Sequence, residues 1–172
     1  MKLERATSAD VPTLLALIQS AYRGVSAREG WTHEADLLDG QRTDREELEA
    51  ILANPAQRLF VLRDGEAIHA CVALTDKGGA TGYLGLFTVD PRQQGTGIGR
   101  MMIAAAEDHG AADLGFDRIE MTVIAQRTEL IAWYERRGYR ATGERRPFPY
   151  GDPRAGLPKR DDLEFVVLQK QL

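Results

Sequence analysis

With 172 residues, 43% of them hydrophobic and 28% charged, the chain has the size and make-up of one water-soluble domain with a sizeable core. Its net charge of −4 offers no basic footprint for nucleic acid, no apolar run reaches the ~18 residues of a membrane helix, and the single cysteine, Cys71, excludes an internal disulfide. The opening Met1-Lys2-Leu3-Glu4-Arg5 is not followed by the apolar core of a signal peptide, so a cytoplasmic protein is expected.

Residues 1–7 alternate apolar and polar side chains and read as a short strand. Ser8 stands where a helix cap belongs, ahead of Val11, Leu14, Leu15, Ile18 and Tyr22, whose spacing keeps a helical period. Thr43-x-x-Glu46 predicts a capping box opening a second helix that Asn54-Pro55 closes. Residues 58–64 and 66–75 flank a short turn at Gly65 and make a hairpin. Lys77-Gly78-Gly79 then turns the chain into a strand ending at Val89. A helix follows to about Ala112, residues 118–124 form the next strand, and Thr128 caps a helix that Gly138 stops. Residues 139–144 read as a strand, residues 145–160 as a long loop rich in proline, and residues 163–168 as the closing strand. The order β-α-α-β-β-β-α-β-α-β-β predicts a mixed sheet with helices on both faces, without repeat or linker.

One stretch says most about function. Val89 to Gly99 reads Val-Asp-Pro-Arg-Gln-Gln-Gly-Thr-Gly-Ile-Gly, and Pro91 stops the preceding strand because it cannot donate to a sheet ladder. Gly95, Gly97 and Gly99 then lead into strong helix formers. A helix N-terminus carries unpaired amides and the positive end of the macrodipole, and glycines let an anion approach them. Residues 94–100 are therefore expected to hold a phosphate group. A P-loop would place Lys-Ser or Lys-Thr after its last glycine, whereas Gly99 is followed by Arg100-Met101. The glycine spacing also fits the dinucleotide fingerprint poorly.

Gln94-x-x-Gly97-x-Gly99, after a strand ending in Val-Asp-Pro, resembles the pyrophosphate-binding signature of the GNAT superfamily, the acyl-CoA-dependent N-acyltransferases. Downstream, Tyr134-x-x-x-Gly138-Tyr139 is similar to that family's helix ending, and the two motifs together span roughly residues 80–145. The resemblance implies a single α/β domain over residues 1–172, with a central mixed, mainly antiparallel sheet and helices on both faces. It implies acetyl-CoA as co-substrate, held by Gln94, Gly95, Thr96, Gly97, Ile98, Gly99 and Arg100, with the backbone of Phe87, Thr88 and Val89 along the pantetheine arm. Gly85, inside that strand, suggests a bulge or a close backbone approach. Tyr134 matches the family's general acid, and a phenol with a pKa near 10 can protonate a departing thiolate.

Two positions depart from the family. Its strand glutamate, a general base in some members, is replaced by Tyr83, and the asparagine seven residues before the tyrosine by Arg127. The base is therefore open. Trp31 and Glu34 lie in the connection that walls the acceptor site in this family. An aromatic ring beside a carboxylate suits a cationic amine. Phe148-Pro149-Tyr150-Gly151-Asp152 is a second wall of the same kind. Cys71 on an apolar strand reads as a buried structural thiol, and His33, His69, His109 and Cys71 show no metal-ligand spacing.

The expectation is an N-acetyltransferase acting by direct attack of a primary amine on acetyl-CoA, with no metal. The alternative is a non-catalytic acyl-CoA-binding sensor. The acceptor is a small molecule or peptide, nucleic acid and membrane are not expected as partners, and an edge strand leaves room for a homodimer.

Overall fold

Residues 59–62 and 70–74 run apolar without alternation, the mark of strands covered on both faces. The computed structural model, which describes residues 2–172, shows what covers them. In chain order the elements are β1 (Lys2–Arg5), α1 (Val11–Tyr22), α2 (Gly24–Ala27), β2 (Leu38–Asp39), α3 (Arg45–Ala53), β3 (Gln57–Asp64), β4 (Ala67–Asp76) and β5 (Thr81–Val89). They continue as α4 (Ile98–Leu114), β6 (Arg118–Ile124), α5 (Thr128–Glu135), β7 (Arg140–Pro147), β8 (Leu157–Pro158) and β9 (Glu164–Gln171). Seven strands form one sheet in the order β1-β3-β4-β5-β6-β9-β7, and β2 pairs separately with β8. Only the β5–β6 pairing is parallel.

Alternate residues of the two apolar strands feed two cores. Leu59, Val61, Cys71 and Ala73 pack against Leu14, Ile18 and Leu48 on one face. Phe60, Leu62, Val72 and Leu74 pack against Met102, Ile103 and Tyr139 on the other. A third, smaller cluster of Leu38, Ile124, Phe148 and Leu163 anchors the segment around β2 and β8.

The feature that makes a site is the parting of β5 and β6. Their parallel register runs only from Thr81↔Arg118 to Tyr83↔Glu120. Beyond it, β5 bulges: one residue of β4, Val72, lies between partners that enclose two of β5, Leu86 and Phe87. Leu86 adopts φ +47°, an unusual conformation for a branched side chain. Such an insertion bends the strand and raises its twist, here turning β5 away from β6. Gly85 adjoins this bulge rather than forming it.

Several element ends differ from the sequence expectation. Thr7, not Ser8, begins the first helical turn, where Asp10 Oδ2 accepts from the Thr7 amide at 2.8 Å. Asp44, not Thr43, caps α3 by accepting from the Glu47 amide at 2.7 Å, and Thr43 bonds to Glu47 instead of Glu46 forming a box. Arg127 rather than Thr128 occupies the cap position of α5. In each case the expected register is displaced by one residue, which the pattern of polar residues alone leaves undetermined. The long loop is more ordered than expected: β7 continues to Pro147 through a register shift, and Leu157 pairs with Asp39. Short α2 carries no periodic signal and was not anticipated. Of the first strand, Met1 lies outside the described residues.

Candidate active site

Asp90 and Pro91 end β5 in a single 3-10 turn, with the Asp90 carboxylate accepting from the Arg92 amide. Gly95 (φ +83°) and Gly97 (φ +96°) then adopt left-handed backbone that glycine alone takes freely, and Gly97 is the N-cap of the 17-residue α4. The first helical bond runs from the Met101 amide to the Gly97 carbonyl. The amides of Gly95, Gly97, Ile98, Gly99 and Arg100 therefore have no acceptor among the described residues. A Cβ on Gly95 or Gly97 would meet no atom within 4 Å, so the concavity over these amides is open. Donors, dipole and space all fit a diphosphate.

The loop floors a cavity of about 420 Å³ walled by Phe87, Thr88 and Val89 of β5, by Trp31 and by Trp133. Arg100 and Arg137 stand at it as cations. Arg137 was not singled out from sequence. Its Cζ lies 3.4 Å from the Trp133 ring centroid, Nη1 donates to the Trp133 carbonyl, and Nε is buried without a partner. Burial and the neighbouring Arg136 and Arg100 hold its pKa below the usual arginine value. Gln94 also lines this cavity: its Nε2 donates to the Val89 carbonyl and its Oε1 accepts from the Thr32 amide at 3.4 Å. It clamps the Trp31 segment to the loop, at a spot where a Cβ on Gly30 would collide with it at 2.5 Å.

A second cavity of about 280 Å³ lies beyond the parting of the strands, lined by Tyr83, Gly85 and Thr122 among others. Five residues border both cavities: Tyr22, Phe87, Arg127, Leu130 and Tyr134. Tyr134 is 5% exposed and packs edge-on to Trp133 and Tyr139. Its hydroxyl has no hydrogen-bond partner among the described residues, and burial pushes its pKa well above the phenol range. Tyr22, read from sequence as part of a core stripe, donates its hydroxyl to the Phe87 carbonyl at 2.8 Å and so braces the bulge.

Glu34 is buried between two guanidiniums. Arg23 donates through Nη2 to Oε2 at 2.9 Å, and Arg127 through Nη1 to Oε1 at 3.0 Å. Burial alone would raise the carboxyl pKa, but Arg127, Arg42 and Arg23 outweigh it and hold the group ionised. The carboxylate is thus already balanced. Trp31, 46% exposed, borders the larger cavity and Glu34 only the smaller, so the expected ring-and-carboxylate cage does not form.

Arg127 also donates to the Thr32 hydroxyl at 2.8 Å, and Tyr83 shares a 2.6 Å hydrogen bond with Thr122. Phe148 borders the smaller cavity, while Tyr150 faces outward and braces the loop through the Arg160 carbonyl. Cys71 is buried with its thiol pushed up to about 12, and Sγ donates to the Leu86 carbonyl. Among the described residues no three His, Cys, Asp or Glu side chains gather to hold a metal, and no helix is long and apolar enough to cross a membrane.

The sequence profile of the acetyltransferase (GNAT) family matches residues 17–139. No curated protein matches the chain. Among solved structures, a ribosomal-protein-alanine N-acetyltransferase from Brucella melitensis superposes with a TM-score of 0.73 at 19% identity, covering 100% of both chains. A variant of the spermidine N-acetyltransferase from Vibrio cholerae gives 0.69 at 17% identity, over 99% of this chain and 95% of that one. The smu.2055 protein of Streptococcus mutans gives 0.75 at 12% identity, over 99% of each. At these identities the likeness is one of fold.

Proposed function

The chain belongs to the acetyltransferase (GNAT) family, and on that footing we propose that it moves an acetyl group from acetyl-CoA to a primary amine by direct attack, with Tyr134 as general acid. The observation that carries this reading is the place of Tyr134. Tyr134, its hydroxyl unpartnered among the described residues, borders both the cavity floored by free amides and the second cavity.

Acetyl-CoA supplies the activated thioester. The amides of residues 95 and 97–100 hold its diphosphate, helped by the α4 dipole and by the charges of Arg100 and Arg137. Trp31 and Trp133 wall the same cleft, and the backbone of residues 87–89 borders the arm. Tyr134 keeps its proton through the neutral range because burial penalises its anion, and a departing thiolate at the junction is the base it can meet. Glu34 orders Arg127 and Arg23 instead of binding the amine itself. Removing polar disorder around the junction in this way is how a site pre-organises its donors.

The test is thiol release from acetyl-CoA over a panel of amines, followed with a thiol reagent. Release that depends on an added amine is expected. Acetyl-CoA binding without release for any amine would instead favour a sensor.

A further inference from the structure

The smaller cavity holds more positive charge than its carboxylate balances. Arg23, Arg42, Arg127 and Arg154 line it, with Glu34 as the one acid among its lining residues. Two of these cations are committed to structure. Arg23 is bonded to Glu34 and to the carbonyls of Asp39, Gln41 and Ala155, and Arg127 to Glu34 and Thr32, its Nε alone staying buried without a partner. Arg42 is different. Its side chain has no hydrogen bond or ion pair with any described residue, and its Cζ lies 5.0 Å from the Tyr22 ring centroid. The acids nearest in its field, Glu34 and Glu47, are bonded to Arg23 and Arg127 and to Thr43 respectively.

This guanidinium is not a loose surface group. It is half-buried, its own amide donates to Gln19 Oε1 at 3.1 Å, and the adjoining Gln41 carbonyl is held by Arg23. The peptide group that leads into Arg42 is thus held at both its carbonyl and its amide, next to a cation whose donors open on the cavity. It rests against the ring whose hydroxyl braces the bulge at Phe87. A planar fork of unfilled donors, partly screened from water, recognises carboxylate or phosphonate oxygens in pairs. Arg154, exposed at the same cavity and free of side-chain partners, adds to the attraction. A cationic amine with no anionic group would add like charge and leave Arg42 unfilled.

We propose that the acceptor is a primary amine that also carries an anionic group, a carboxylate or phosphonate, and that Arg42 holds that group. The assignment rests on the acetyltransferase reading above and names the class of amine it acts on.

The experiment compares each α-amino acid, and the ω-amino acids from glycine to 6-aminohexanoate, with its primary amide as acceptor. At least one acid should exceed its amide in kcat/KM by about 10–100-fold, the range for a hydrogen bond to a charged group. Arg42→Gln should bring that ratio to within about threefold of unity. Arg45→Gln, the same charge change on the exposed face of α3, should leave the ratio in place. Arg42→Lys, which keeps the charge without the fork, should retain part of it, and circular dichroism confirms that each variant folds. Amides favoured throughout, or a ratio that Arg42→Gln does not move, overturns the proposal. Should no acceptor release thiol, the N-acetylated acids and amides are titrated calorimetrically against the protein saturated with CoA. Arg42-dependent binding of the acids then supports the anion site while the transferase reading fails; equal binding of acids and amides overturns the site itself.

Discussion

Two side chains and one missing side chain carry most of the proposed chemistry. At Gly97 the backbone sits at φ +96° over an open concavity, so Gly97→Val introduces strain and fills the space proposed for a diphosphate. Acetyl-CoA affinity should fall by at least tenfold, about 1.4 kcal/mol, in a variant whose circular dichroism is unchanged. Unaltered affinity in calorimetric titration would remove the phosphate-loop assignment. Tyr134→Phe deletes a hydroxyl that has no hydrogen-bond partner among the described residues, so ring packing and cofactor affinity should hold. Turnover should drop by about 10²–10⁴, the usual contribution of a positioned acid, while the acceptor KM moves far less. Turnover within a few-fold of the parent would return Tyr134 to a packing role. The place of Tyr134 at the cavity was open to a sequence reading because it sits in a local motif, four residues before the helix-stopping Gly138, that resembles the family's. Arg42 was not: Asp39-Gly40-Gln41-Arg42 reads as an ordinary polar loop, and nothing nearby in the chain shows that its guanidinium faces a cavity.

Between elements, the ion pairs around Glu34 join the α1–α3 connection to the start of α5 across 93 positions of sequence. That separation explains why Glu34 reads from sequence as a free carboxylate beside Trp31. Its carboxyl is held below the ordinary carboxylate pKa, against the opposing pull of burial, by Arg127, Arg42 and Arg23. A depressed folded-state pKa contributes stability above the unfolded value and loses it as pH falls through the folded one. Glu34→Gln leaves two buried guanidiniums uncompensated and should cost about 3 kcal/mol at pH 7, or roughly 6–12 °C in Tm. The gap between parent and variant should close as the pH is lowered from 7 toward 3, because the parent alone titrates here. A gap independent of pH in calorimetric scans would mean that the carboxylate adds little to folding. Loop–helix and hairpin signals were legible because they are set by neighbours. The caps of the first turn and of α3 were displaced by one residue, because Thr7, Ser8, Thr43 and Asp44 are all competent caps and tertiary packing chooses among them, whereas Arg127 takes the cap position of α5 without a side-chain cap bond.

At the scale of the whole molecule, the mixed sheet with helices on both faces followed from element order and the continuous apolar strands. The parting of β5 from β6 did not. It depends on a bulge at Leu86, a residue whose left-handed backbone no propensity would suggest. Gly85 hinted at irregularity next door. Because Phe148, Arg154 and Ala155 line the second cavity beside Leu38 of β2, the loop expected across residues 145–160 is part of its wall.

The opening between the strands joins two cavities that both reach Tyr134, and in the proposed reaction each reactant enters by its own door. Neither reactant needs to pass through the other's door, so neither must queue behind the other, and both can be present before any bond changes. The thiol that might have parked an acyl group between visits, Cys71, is sealed in the core. Double-reciprocal plots of initial rate against one substrate at several levels of the other should therefore intersect. Parallel lines would mean that the acyl group rests on the protein after the first product has left, and would require a nucleophile other than any placed at the junction.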